Sequence, residues 1–243
     1  MGKAYPVHLM ALQLDRYDSV DAFLHRAGAY LEAREAEHNL IFGITSGLRG
    51  GWEGRYSGPP YLAVVADGDA VAGAALQTPP FNLVLAEVEP RVARVVAADR
   101  AAVESELPGV LGPPAAVRAF SEAWTEATGR PAQPGMRQRI FRLTQVRPPR
   151  PASGRARPAK VSDAALVQRW LIAFQRDVWG PDADISQAER IARQWIEGGP
   201  DRTLYLWEDE GHPVSMAGAS GPTPHGIRIG AVYTPHELRG RGY

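Results

Sequence analysis

Between Val146 and Pro158 the chain reads VRPPRPASGRARP, and this stretch constrains the fold more than any other. Its prolines at 148, 149, 151 and 158 remove backbone donors and hold the chain extended, so no helix or central strand can run through it. The apolar residues on either side must therefore find two separate cores. We expect one unit over residues 1–146, a linker over 147–154, and a second unit over 155–243. At 44% hydrophobic in 243 residues, the chain carries enough apolar surface for both.

In the first unit, Ser19 is placed to cap a helix running to about residue 37, with Val20, Phe23, Leu24, Ala27, Tyr30 and Leu31 on one face. A further helical turn or two covers 39–48. The glycine-rich stretch 43–58 lacks a lysine after its glycines and reads as a loop, not a nucleotide-binding one. Strands over 61–66 and 70–77 are joined by Asp67-Gly68, a hairpin dipeptide. A short strand follows at 82–86, then helices at 91–106 and 114–128, and a closing strand at 137–145.

The second unit opens with a strand near 157–160. Ser162 and Asp163 suit the cap of a helix to about Trp179. Ser186 with Glu189 suits a capping box for another, ending at Gly198-Gly199. Trp170, Trp179 and Trp195 fall at helical spacing, which favours core packing over a pocket lining. Three strands complete the unit: 203–207, 213–220 and 226–234. A weak repeat links the two: Tyr61 to Pro80 parallels Leu204 to Pro224, each a strand, an acidic turn, a strand, a Gly-Ala pair (Gly73 and Gly218) and a Thr/Pro break.

Composition removes several classes of function. There are 27 basic and 27 acidic residues, so no global field favours nucleic acid or an anionic membrane. The absence of cysteine excludes disulfides, thiolate zinc sites and a catalytic thiol. His212, His225 and His236 lack metal-ligand spacing, and no Ser/His/Asp or paired-carboxylate arrangement competes. No run approaches the length of a membrane span, and the short apolar stretch over residues 1–14 carries His8 and Gln13 and no small-residue cleavage pattern. A cytoplasmic protein binding neither nucleic acid, membrane nor metal is expected.

The last residues carry the chemistry. Apolar and polar positions alternate from Ile227 to Tyr233, Pro235 ends the strand, and Arg239-Gly-Arg-Gly242 follows. Small residues there let a backbone approach a ligand closely, and flanking arginines suit a pyrophosphate. Val232-Tyr-Thr-Pro-His-Glu-Leu-Arg-Gly-Arg-Gly-Tyr243 resembles the acyl-CoA-binding segment of the GNAT superfamily of N-acetyltransferases, whose signature is Arg/Gln-x-x-Gly-x-Gly/Ala after a strand. Arg239 and Gly242 fill its first two positions; the third would fall one residue past Tyr243.

The resemblance implies an α+β fold, in which a mixed, mostly antiparallel sheet is flanked by helices. It also implies two tandem GNAT-like units: a degenerate first one without the cofactor loop, and an incomplete second one. It implies acetyl-CoA as acyl donor and an amine, on a small molecule or peptide, as acceptor. Backbone groups of Ala231, Val232, Tyr233 and Thr234 would hold the pantetheine arm, and Arg239, Gly240, Arg241, Gly242 and Tyr243 the pyrophosphate. The Val232 N–H is the candidate oxyanion donor. No carboxylate stands on that strand, leaving His225 as the candidate base. The tyrosine that usually protonates the leaving thiolate has no counterpart, so weak turnover or none is expected of these residues alone. Three readings stay open: a truncated acetyltransferase, a catalytically silent acyl-CoA-binding or interaction protein, and a fragment completed by another chain.

Overall fold

The structure, a computed structural model, describes residues 12–104, 106–148, 151–186, 188–199 and 201–243. By its contacts the chain divides into two compact units, Met1–Phe141 and Arg142–Tyr243. Both are mixed α+β, each with a mostly or wholly antiparallel sheet flanked by helices.

The first unit runs β1 (Gln13–Arg16), α1 (Val20–Glu32), α2 (Asn39–Leu48), β2 (Tyr61–Asp67), β3 (Ala70–Gln77), β4 (Leu83–Leu85), α3 (Pro90–Ala101), β5 (Val110–Leu111) and α4 (Pro114–Thr128). Its strands lie in sequence order, and only the β4–β5 pair is parallel. Every residue of β2 except Asp67 is buried. Strand neighbours point to opposite faces, so helices must cover both, and α1 and α3 each pack on β2 and β3. Ser19 caps α1 as expected, its Oγ accepting from the Ala22 amide at 3.4 Å. The helix stops at Glu32, not 37, because buried His38 turns back and its Nδ1–H donates to the Leu31 carbonyl at 2.8 Å.

The second unit runs β6 (Arg155–Pro158), a 3-10 turn (Val161–Asp163), α5 (Ala164–Trp179), α6 (Ala188–Glu197), β7 (Arg202–Asp209), β8 (His212–Thr223), β9 (Gly226–Tyr233) and a 3-10 turn (His236–Leu238). Its four strands also lie in sequence order, all antiparallel. One face is closed by α5 and α6 over Leu204, Leu206, Met216 and Tyr233. On the other face, Tyr205 of β7 and Ile229 of β9 are exposed.

The two units share a register. Gln13 pairs with Ala66 and Asp67 with Ala70; in the second unit Arg155 pairs with Glu208 and Asp209 with His212. One constant shift in residue number superposes β1 on β6, β2 on β7 and β3 on β8. It also superposes a bulge, at Ala72 in one hairpin and Val214 in the other. That register corrects the sequence repeat: Gly73 corresponds to Ser215, and Gly218 to Leu76. The glycine alignment was out by three residues, an odd number, which exchanges the two faces of the sheet. Accordingly, a Cβ on Gly73 would strike Val88 and Val92 of the α3 side at 2.6 Å, whereas one on Gly218 would strike Trp195 of α6.

Three local expectations fail. Residues 137–145 form no strand; Ile140, Phe141 and Leu143 are exposed, since a β-type sequence needs a sheet edge to pair with and meets none among the described residues. Asp163 takes the N-cap position of α5, but the expected side-chain cap does not form. The Asp163 carboxylate instead accepts from the Lys160 amide at 2.7 Å and from both terminal nitrogens of Arg157. The Ser186–Glu189 box does not form either: the Ser186 amide donates to Asp184 at 2.9 Å and Glu189 pairs with Arg193.

Candidate functional site

The end of β9 departs from its counterpart in the first unit. Gly230 pairs with Gly218 and Tyr233 with Met216, so two residues, Ala231 and Val232, oppose the single residue Ala217. The extra residue is a bulge, and it takes backbone groups out of the ladder. Ala231 sits at φ +49°, a conformation that costs a residue with a Cβ roughly 1–2 kcal/mol. In β4 the same stretch is regular: Val84 and Leu85 oppose Leu76 and Ala75, and the Ala86 amide donates to the Ala74 carbonyl at 2.9 Å.

The surroundings differ in the same sense. β4 is closed at its outer edge by β5. Beyond it, the Glu87 amide donates to Nε2 of His38 at 2.9 Å, and the Glu87 carbonyl accepts from the Tyr30 hydroxyl. Side chains thus tie off the loop after β4. Among the described residues no strand pairs with the outer edge of β9, and Val232 is 56% exposed there.

After β9, Pro235 opens the 3-10 turn and its carbonyl accepts from the Leu238 amide at 2.9 Å. Gly240 and Gly242 then take φ +79° and +93°, which is why these positions are glycine. A Cβ on Gly240 would meet nothing within 4 Å, and one on Gly242 only the Ala152 Cβ at 3.8 Å. Among the described residues no backbone carbonyl accepts from the amides of Gly240, Arg241 or Gly242. The loop is exposed, and its backbone is open to a ligand.

Its side chains are engaged. Arg239 donates from Nε to the Thr234 carbonyl at 2.8 Å, from Nη2 to Asp177 Oδ2 at 2.6 Å, and from Nη1 to His236 Nδ1 at 3.0 Å. A guanidinium only donates, so Nδ1 accepts, and His236 carries its proton on Nε2, 3.1 Å from Asp177 Oδ1. Arg239, and after it His236, hold the Asp177 carboxyl below its ordinary range. Burial pushes the Tyr233 phenol up, with Asp177 adding to the effect. Arg241 donates to the Glu237 carbonyl at 3.1 Å. The Tyr243 hydroxyl donates to Asp209 Oδ2 at 2.6 Å, an oxygen that also accepts from Ser153.

His225 is not brought to this place. It lies in the exposed turn between β8 and β9, seven residues before Val232, on the order of 20 Å away at ~3.3 Å per strand residue. Thr234 precedes the 3-10 turn and Glu237 lies within it. Sequence reasoning missed Asp177, which lies 62 positions before Arg239 on the last turn of α5; no local pattern announces such a pair. Beside it, α5 and the end of β9 line an open cavity of about 390 Å³, bordered by Arg169, Ile172, Ala173, Arg176, Asp177, Tyr233 and His236.

Among the described residues, no group of three or more His, Asp or Glu side chains is placed to hold a metal ion, and no helix is long and apolar enough to cross a membrane. Comparison with family models, curated proteins and solved structures finds no match.

Proposed function

We propose that the chain belongs to an acetyl-CoA-dependent N-acyltransferase of GNAT type, built from two tandem units of which the second holds the donor. The observation that carries this reading is the bulged, open-edged end of β9 leading through Pro235 into Arg239-Gly-Arg-Gly242. The first unit has the same strands and register, but a regular β4 and a loop closed by His38 and Tyr30. It serves as a scaffold.

Bound coenzyme A would supply a thioester-activated acetyl group. The bulge frees backbone groups at Ala231 and Val232 to hold an extended arm along the edge, and the Val232 N–H is the candidate donor to a developing oxyanion. The open, left-handed backbone at Gly240 and Gly242 suits a pyrophosphate, as oriented amides do. Arg241 lies exposed over this loop with one donation to backbone, while Arg239 is matched to Asp177 and contributes its charge at closer range to the turn than to the loop.

A second reading, an acyl-CoA-binding protein without turnover, is favoured by one feature. β9 carries no carboxylate, and His225 stands at its far end. Calorimetric titration of acetyl-CoA into the chain, followed by an amine panel, separates the readings. Saturable binding that Gly242→Val weakens about tenfold or more supports the donor site, and acetyl transfer then selects the enzyme. Binding unaffected by the substitution removes the cradle.

A further inference from the structure

Arg169 and Arg176 stand seven residues apart on α5, which puts both on one face, and both line the cavity of about 390 Å³ that ends at Tyr233. The site holds a third guanidinium, Arg239, but that one is matched by Asp177. Among the described residues no carboxylate pairs with Arg169 or Arg176. The cavity therefore carries an excess of positive charge. Ile172 and Ala173 lie between the two arginines and make its floor apolar. It opens to solvent, and its volume is large enough for a small anion.

We infer that this cavity recognises the acyl acceptor, and that the acceptor is a small amine bearing an oxyanion, a carboxylate or a phosphate, seated against Arg169 and Arg176. Two guanidinium forks over an apolar floor fit such a group better than they fit a neutral amine, because each fork can donate twice to a pair of anionic oxygens. Tyr233 lines the cavity and directly follows Val232, so an amine anchored there reaches toward the bulge. That the ligand is the acceptor rests on the acyltransferase reading; that the cavity binds an anion does not.

The test uses amide spectra of the full chain with matched probes: β-alanine against β-alaninamide, and phosphoethanolamine against ethanolamine. We expect the anionic member of at least one pair to shift Ile172, Ala173 and Tyr233 saturably and its uncharged-tail partner not to; the responding pair identifies carboxylate or phosphate. Arg169→Gln and Arg176→Gln should each weaken that binding about tenfold. Equal response to both members of each pair, or none to any, overturns the inference, and this contrast needs no variant to fold. A parallel coenzyme A titration separates the two claims. Shifts at Gly240 and Gly242 with a silent cavity leave the donor site and remove the acceptor pocket; the opposite pattern keeps the anion pocket and removes the acyltransferase. If the two arginine variants weaken coenzyme A itself while small anions do nothing, the cavity belongs to the nucleotide and the inference fails.

Discussion

A Cβ placed on Gly218 would lie 2.5 Å from Cη2 of Trp195. The indole of α6 thus packs directly on the bare backbone of β8, and the Arg202 guanidinium covers the ring from 5.2 Å. Gly230 stands opposite Gly218 on β9, where a Cβ would meet nothing within 4 Å. Gly218→Ala should destabilise the second unit by about 1–3 kcal/mol through overpacking. Adding Trp195→Leu should recover part of the loss. Denaturant unfolding followed by hydrogen exchange at Leu204 and Leu206 reads this unit alone.

Arg157 bridges two acids, donating from both terminal nitrogens to Asp163 and from Nε to Glu208 at 2.5 Å. The three side chains are 22%, 11% and 20% exposed, so solvent screens the network only in part. Hydrogen bonding from Arg157 depresses the Asp163 carboxyl below its unfolded value, and does the same for Glu208. A depressed acid stabilises the fold above its unfolded pKa, about 4, and that contribution is lost as pH falls toward the folded value. The second unit should therefore lose stability below about pH 4, and Asp163→Asn should cost about 2 kcal/mol at neutral pH while flattening that acid limb.

His38 behaves differently. It is buried, donating from Nδ1 to the Leu31 carbonyl and accepting at Nε2 from the Glu87 amide, so its two bonds require the neutral ring. Burial lowers its pKa. The unfolded state therefore takes up the proton first, and the first unit should weaken as pH falls below about 6.5, levelling off once the folded-state value is passed. His38→Phe should cost about 2–4 kcal/mol, because it orphans a carbonyl and an amide together. Ring nitrogen shifts showing a proton on Nε2 at neutral pH would contradict the assignment.

Asp177 restrains Arg239. Asp177→Asn removes the charge that Arg239 answers at 2.6 Å and leaves its guanidinium able to turn toward the glycine loop. Coenzyme A should then bind a few-fold more tightly, by roughly 0.5–1 kcal/mol, with a steeper salt dependence. Titration at two ionic strengths checks both.

The hairpins of both units were legible because Asp67-Gly68 and the β-type runs around Tyr61 and Leu206 are local signals. So was the helix over Pro114–Thr128, whose apolar residues keep one period. The cores then followed from the proline break. What escaped had no local signature. β1 and β5 are four and two residues long and exist through the partners they pair with. The bulge at Ala231 places an alanine where glycine is the usual sign. The repeat was visible, but two conspicuous glycines suggested the wrong register, because each answers a different neighbour: Val88 and Val92 in one unit, Trp195 in the other. Residues 137–145 carried the right pattern for a strand and met no edge. The glycine loop could be located from sequence; that Asp177 holds its first arginine required the fold.

The central claim is that the backbone from the β9 bulge to Tyr243 is shaped to hold the donor. Titrating coenzyme A into isotopically labelled chain and following backbone amides tests it directly. The account predicts saturable shifts at Ala231, Val232, Gly240 and Gly242, with binding weakened about tenfold or more by Gly242→Val and the first-unit loop at Glu87 unmoved. Binding that leaves those four amides in place, or that moves Glu87 instead, would contradict it.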